Sequence, residues 1–169
     1  MTGRQLPGVG LGVDVHRFGG PGPVWLGGVA IDHPSGLLGH SDGDVLCHAL
    51  ADALLGASGM GDIGEHFPSS DERWRGASSL DLLQRVGKML AAVGIEILGM
   101  DGTVVAEAPR LAPFRQEMEA TVADALGLAL ALVSVKVKSS DGLGLTGRGE
   151  GMAALAVARV GFGSRTDSA

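Results

Sequence analysis

The densest chemistry in the sequence is Gly39-His40-Ser41-Asp42-Gly43-Asp44, which continues through His48 to Asp52. Ser41 followed three positions later by Asp44 reads as a capping-box variant and predicts a helix starting near position 42. At about 100° per residue, Ser41, Asp44, His48 and Asp52 share a polar stripe about 80° wide. Val45, Leu46, Ala49, Leu50, Ala53 and Leu54 form the opposing apolar stripe, which should face a core. Unpaired N–H groups at a helix N-terminus favour anions, so His40 and Ser41 beside it suit a phosphate. A solvated helix face carrying a lone histidine is the plainer alternative.

Upstream, Asp14-x-His16 lies in Gly10–Phe18. A period of two puts both residues on one side of a strand, with Val13 and Val15 on the other. A half-exposed strand explains that pair alone. Joined by His48, it becomes a trio that suits zinc and leaves a fourth coordination position open. Asp44, one turn before His48, is placed to orient the imidazole. Thr146-Gly147-Arg148-Gly149-Glu150-Gly151 invites a phosphate-loop reading but lacks Gly-Lys-Ser/Thr and the dinucleotide glycine spacing. No G-x-S-x-G elbow is present, and no cysteine has an obvious partner for nucleophilic work. Arg110, Lys136 and Lys138 read as modest local cations.

Around these residues the chain must build a scaffold. Val24–Leu26 and Val29–Ile31 predict a hairpin through Gly27-Gly28. Gly61–Pro68 reads as a loop, and Ser78 with Asp81 opens a second helix that runs to about Val93 and ends at Gly94. Ile95–Ala106 reads as a strand. Pro109 and Pro113 bracket a rigid loop before a third helix, Phe114–Leu126. Val133–Lys138 alternates as a strand, Ser139–Gly142 turns, and Leu143–Gly151 is a glycine-spaced loop. Met152–Phe162 is small and apolar throughout; strand is favoured over helix. Alternating strands and helices give an α+β (α/β-like) class, with helices on one face of a mixed sheet.

At 169 residues the chain has the length of one domain with a full core. Its net charge of −6, without a basic cluster, argues against nucleic acid as a partner. No apolar run is long enough for a membrane span. The single Cys47 excludes a disulfide framework and a cysteine-cluster metal site, and it should be a buried thiol. Met1–Pro7 lacks a signal-peptide shape, so a cytoplasmic location is expected. The 29 glycines concentrate in turns and in Gly142–Gly151, so they are positional rather than low-complexity.

Taken in order, Asp14-x-His16, Gly39-His-Ser-Asp-Gly-Asp-x-x-x-His48, Gly61-Asp-Ile-Gly64, Ala108-Pro109 and Leu145-Thr-Gly-Arg-Gly-Glu-Gly151 resemble the 2-C-methyl-D-erythritol 2,4-cyclodiphosphate synthase family of the non-mevalonate isoprenoid route. The resemblance runs from about Gly8 to Phe162. It implies a single catalytic domain over 1–162, with a frayed, disordered tail over 163–169. It further implies a four-stranded mixed sheet with three helices on one face, assembled as a homotrimer with sheets facing the threefold axis and active sites between subunits. The implied reaction is attack by the 2-phosphate of 4-diphosphocytidyl-2-C-methyl-D-erythritol 2-phosphate on its own β-phosphorus, which closes a cyclic diphosphate and expels CMP.

By the same resemblance Asp14, His16 and His48 hold zinc, and a second divalent ion, magnesium or manganese, sits near Asp141. His40 and Ser139 match transition-state stabilisers, and His40 and Ser41 match contacts to the methylerythritol phosphate. Asp62, Ile63, Gly64 and Phe67 fall in the substrate loop, with Asp62–Gly64 matching the part that holds the erythritol. Ala106, Ala108, Pro109, Arg110, Leu111 and Ala112 match the cytidine pocket. Lys138, Ser140 and Leu145 join the substrate set. Arg148 matches a residue lining an axial cavity with room for an isoprenoid diphosphate. Lys138-Ser139-Ser140-Asp141 replaces a frequent run of threonines and an acid, and Ser69 replaces a frequent acid; these departures bear on affinity and metal preference. A metal-dependent phosphoester hydrolase, and a nucleotide- or isoprenoid-diphosphate-binding protein with a structural zinc, are the competing readings.

Overall fold

Strand β1 (Gly8–Pro21) turns Gly8, Gly10 and Gly12 toward helix α1 (Val45–Ser58), and this contact sets the geometry of the molecule. In the computed structural model, which describes residues 7–162, a Cβ built on Gly12 would lie 1.9 Å from the Ala49 carbonyl oxygen. Those on Gly10 and Gly8 would each lie 2.1 Å from the carbonyls of Ala53 and Ala57. Four helical residues rise about 6 Å and two strand residues about 6.7 Å, so the alanine and glycine ladders stay in step. Only a strand without side chains on this face lets the helix backbone come so close. One step beyond Gly12, β1 presents Asp14 and then His16 beneath the first turns of α1.

The hairpin of β2 (Val24–Leu26) and β3 (Val29–Ile31) and the short β4 (Ser35–Leu37) follow β1. After α1 come the one-turn helix α2 (Ile63–His66), α3 (Ser79–Ala92), β5 (Ile95–Val105), α4 (Arg115–Leu126), β6 (Val133–Lys138), the one-turn helix α5 (Gly144–Gly147) and β7 (Gly151–Phe162). The main sheet runs β4-β1-β7-β5-β6. Only the β5–β6 pair is parallel. Met152, Ala154, Ala156, Ala158 and Val160 of β7 are buried on the face that α1 covers, and Leu83, Val86, Met118 and Val122 of α3 and α4 complete the core.

Hairpin, helices and strands fall close to the expected bounds, and β7 is a strand. Three expectations need correction. The sheet has five strands rather than four, because Ser35–Leu37 adds an edge to β1; three residues around Gly36 carry no alternating pattern to read. Two stretches expected as loops contain single helical turns, the first of them capped by its own Asp62, whose carboxylate accepts from the Glu65 N–H. Helix α1 begins at Val45, not near 42, because Asp44 rather than Ser41 is the N-cap. The tail expected over 163–169 lies outside the described residues.

The other sheet face is bare of helices among the described residues. Val9, Leu11, Val13 and Val15 of β1 are between 49% and 66% exposed there, beside Leu155 and Val157 of β7. An apolar stripe of this kind on a folded domain marks a surface meant to be covered.

Candidate metal centre and adjoining cleft

Three side chains from two elements converge as expected. Asp14 Oδ2 lies 3.0 Å from His16 Nε2 and 3.0 Å from His48 Nδ1, and the three ligand atoms all fall within 4.8 Å of one another. His16 Nδ1 lies 2.5 Å from the Leu38 carbonyl oxygen. A carbonyl only accepts, so Nδ1 carries the proton, and in neutral His16 the lone pair on Nε2 points at a carboxylate oxygen. Two acceptors at that distance need a cation between them, either a proton or a metal.

The electrostatics agree. The hydrogen bond to Asp14 raises the His16 pKa above its ordinary value, against the opposing effect of burial and with help from the Leu38 carbonyl. Burial pushes the Asp14 carboxyl up, but hydrogen bonds from His16 and His48, and the charge of both imidazoles, outweigh it and hold it well below the usual carboxylate range. Two imidazoles and an ionised carboxylate, partly buried and aimed at one point, fit a divalent metal with an open fourth position.

The polar stripe of α1 is built differently from its sequence reading. Asp44 is fully buried, and its carboxylate accepts from the N–H groups of Leu46, Cys47 and, across the chain, Gly28 at 2.8 Å. It therefore does not orient His48. Nor do those first-turn amides await a phosphate, since Asp44 already satisfies them. His40 and Ser41 lie in the loop before the cap. The His40 carbonyl accepts from the Gly76 N–H at 2.7 Å, while its Nε2 is buried without a hydrogen-bond partner. His48 Nε2 meets Ser41 Oγ at 3.0 Å and Ser79 Oγ at 2.9 Å. Asp52 accepts from the Ile63 N–H at 2.7 Å and so ties α1 to the Asp62-Ile63-Gly64 turn; burial foremost raises its carboxyl pKa. Phe67, just beyond, packs edge-on against Trp74 with ring centroids 5.0 Å apart. Cys47 is buried, as expected.

A second concavity opens where β5 and β6 end. Ala106, Glu107, Pro109, Arg110, Leu111, Ala112, Val137, Lys138 and Ser139 line a cavity of about 210 Å³. Ala108 precedes Pro109 through a cis peptide bond. Glu107, which the sequence reading passed over, organises its rim: Oε1 accepts from Ser140 N–H at 2.8 Å, Ser140 Oγ at 3.0 Å and Gly142 N–H at 3.2 Å. The Gly142 N–H foremost, with Ser140, lowers the Glu107 pKa. Ser139 Oγ accepts from the Asp141 N–H at 2.9 Å, and exposed Asp141 takes a left-handed backbone with φ 56°. Thr146 Oγ1 donates to Ser140 Oγ at 2.8 Å. Leu145 is exposed on α5, and Arg148 pairs with Glu150 at 2.6 Å.

The metal triad and the cavity lie on one row of the sheet. Asp14 pairs with Ala154, Ala154 with Val104, and Val104 with Val137. Three strand spacings put the two places about 14 Å apart within a chain. Leu38, Ser79 and Glu107 are the residues that sequence reasoning missed. Leu38 acts through its backbone and Ser79 sits in the first turn of a helix that Ser78 caps, so only Glu107, between Ala106 and Ala108, offered a side-chain signal.

The fold and the triad define an α+β protein with a two-histidine, one-carboxylate metal-binding site. The chain belongs to the YgbB family, which matches residues 8–161. It is 52% identical over 118 residues to the 2-C-methyl-D-erythritol 2,4-cyclodiphosphate synthase of Vibrio cholerae, covering 70% of this chain and 75% of that protein. A solved 2C-methyl-D-erythritol-2,4-cyclodiphosphate synthase in a CDP-bound form superposes with TM-score 0.82 at 36% identity, covering 90% of this chain and 99% of that one. The bifunctional IspDF from Campylobacter jejuni gives TM-score 0.90 at 40% identity; the match covers 94% of this chain but 43% of that one.

Proposed function

We propose that this chain converts 4-diphosphocytidyl-2-C-methyl-D-erythritol 2-phosphate to 2-C-methyl-D-erythritol 2,4-cyclodiphosphate and CMP, in isoprenoid precursor synthesis. The observation that carries the reading is the convergence of Asp14, His16 and His48 in a fold shared with enzymes of that name. An oxygen of the 2-phosphate attacks the β-phosphorus, the bond to the CMP oxygen breaks, and CMP leaves with the electron pair. Phosphoryl transfer of this kind asks for positioning and charge neutralisation rather than a covalent nucleophile.

Asp14, His16 and His48 would hold zinc, and Asp141 would stand beside a second ion, magnesium or manganese; when bound, the two would supply positive charge for the diphosphate. The cavity of Ala106, Pro109, Arg110, Leu111 and Ala112 takes the cytidine, with Ala108 in the same loop and Lys138 and Ser140 at its edge. The cytidine nucleotide in a solved relative supports this assignment. Asp62, Ile63, Gly64 and Phe67 hold the erythritol portion, and His40, Ser41 and Ser139 steady the phosphates. Among the described residues the uncovered apolar face of β1 and β7 supports a homotrimer with sheets toward the threefold axis, in which the two halves of an active site come from neighbouring subunits. Leu145 belongs to the same substrate surface, and Arg148 faces the axial cavity, with room for an isoprenoid diphosphate. Residues 1–162 act as a single catalytic domain. No helix among the described residues is long and apolar enough to cross a membrane, and the proposed location is the cytoplasm.

His48→Ala tests the reading. The variant should lose about one metal ion per chain and nearly all CMP release, and full turnover in a metal-free variant would overturn it.

A further inference from the structure

Behind His48, on the side away from Asp14, lies a second polar cluster in which the proposed chemistry gives a part to Ser41 but none to Ser79 or Asp42. Ser79, the first residue of α3 and 1% exposed, places its Oγ 2.9 Å from His48 Nε2 and 3.1 Å from Ser41 Oγ. The same Oγ makes a short hydrogen bond to Asp42 Oδ1, while the Ser79 N–H donates to Asp42 Oδ2 at 3.0 Å. Asp42 Oδ1 also accepts from the Asp44 N–H at 3.2 Å. Ser79 is not needed as the helix cap, because Ser78 fills that role by accepting from the Asp81 N–H.

Donor counting fixes the Ser79 proton. An ionised carboxylate can only accept, so the single hydroxyl proton of Ser79 is committed to Asp42. What Ser79 offers His48 is then a lone pair. A close contact between that lone pair and an unprotonated Nε2 would set acceptor against acceptor. Asp14 Oδ2, 3.0 Å from Nδ1, makes the same demand for a proton at the other nitrogen; once a metal takes the Nδ1 lone pair in that proton's place, Nε2 carries the proton and donates it to Ser79. Ser41 Oγ, 3.0 Å from Nε2, has a proton of its own and could donate to either neighbour, so it does not select the tautomer by itself. Selection comes from the carboxylate beyond Ser79.

We infer that Asp42 and Ser79 form a positioning relay that fixes the tautomer and ring orientation of His48, so that Nδ1 is presented as a metal ligand. The inference rests on the reading of Asp14, His16 and His48 as ligands and adds two residues to it. The relay parallels the one at His16, where the Leu38 carbonyl holds Nδ1–H and frees Nε2. The two imidazoles thus use opposite nitrogens, each set by an acceptor behind the ring. Partners of this type tune metal affinity by about 10- to 100-fold.

The test titrates metal-free wild type, Ser79→Ala and Ser79→Thr with zinc, and follows His48 ring nitrogens by 15N NMR. Thermal melting checks that each variant is folded. Ser79→Ala, which deletes one oxygen and leaves Ser78 as the cap, should bind zinc at least tenfold more weakly. Ser79→Thr, which restores the hydroxyl, should recover most of the loss. A Ser79→Ala variant that binds zinc as tightly as wild type overturns the relay. Should wild type itself bind no zinc, the metal reading fails and takes the relay with it. In zinc-bound wild type a proton on His48 Nε2 upholds the relay, and a proton resting on Nδ1 overturns it.

Discussion

Gly12→Ala tests whether the glycine ladder of β1 sets the metal site. The new Cβ would lie 1.9 Å from the Ala49 carbonyl oxygen, and real Cβ atoms essentially never come within 3.0 Å, so the shortfall is about 1 Å. The obstacle is helix backbone, which cannot swing aside as a side chain does. Helix α1 must lift from β1 by about that amount or the strand must buckle. Overpacking of this kind costs about 1–3 kcal/mol. At about 2–4 °C per kcal/mol for a chain of this size, a 2 kcal/mol loss lowers Tm by roughly 4–8 °C. The displacement also separates His48 from Asp14 and His16 by more than the ~0.2 Å that metal-ligand distances tolerate, so zinc affinity should fall with stability. Gly56→Ala in the same helix is the control: nothing lies within 4 Å of its added Cβ, and removing a mid-helix glycine should gain roughly 0.5–1 kcal/mol. Melting curves and zinc titrations of both variants make the comparison. Gly12→Ala melting and binding zinc as wild type does would refute the reasoning.

Asp44→Ala should lose about 2–4 kcal/mol in urea unfolding, because it removes an N-cap and strands the half-buried Gly28 N–H; a loss below about 0.5 kcal/mol would show the cap to be dispensable. Metal affinity should fall by at least about tenfold per pH unit below the raised His16 pKa, since a proton then competes for Nε2 while Asp14 stays ionised; calorimetry at several pH values reads the slope, and a flat profile would contradict it. Leu11→Asp on the uncovered sheet face should convert the proposed trimer to smaller species in sedimentation, leaving the monomer's helical content intact.

The fold was legible where side-chain pattern carries it. Ser78 and Asp81 marked α3, Pro113 marked the approach to α4, and the alternation of Val133–Lys138 marked β6. Asp14 and His16 could be placed on one strand face because a period of two allows nothing else. What the sequence hid was backbone chemistry. Gly8, Gly10 and Gly12 offer no side chain to read, yet they are what lets α1 sit against the sheet. Leu38 enters the site through its carbonyl, which no side-chain pattern announces. Asp44 looked like a polar-face residue because helical periodicity was extended one turn too far; the alternative partner, the Gly28 N–H, comes from a hairpin sixteen residues away. Ser79 reached His48 only through the packing of α3 on α1.

The central claim is that one substrate molecule closes on itself at this site, and the identity of the phosphorus products tests it most directly. Incubation with 4-diphosphocytidyl-2-C-methyl-D-erythritol 2-phosphate, zinc and magnesium, followed by 31P NMR, should yield one CMP and one cyclic diphosphate per substrate consumed. Chelator should stop the conversion. Inorganic phosphate, or a linear diphosphate formed by water attack, would contradict the account and make this a hydrolase.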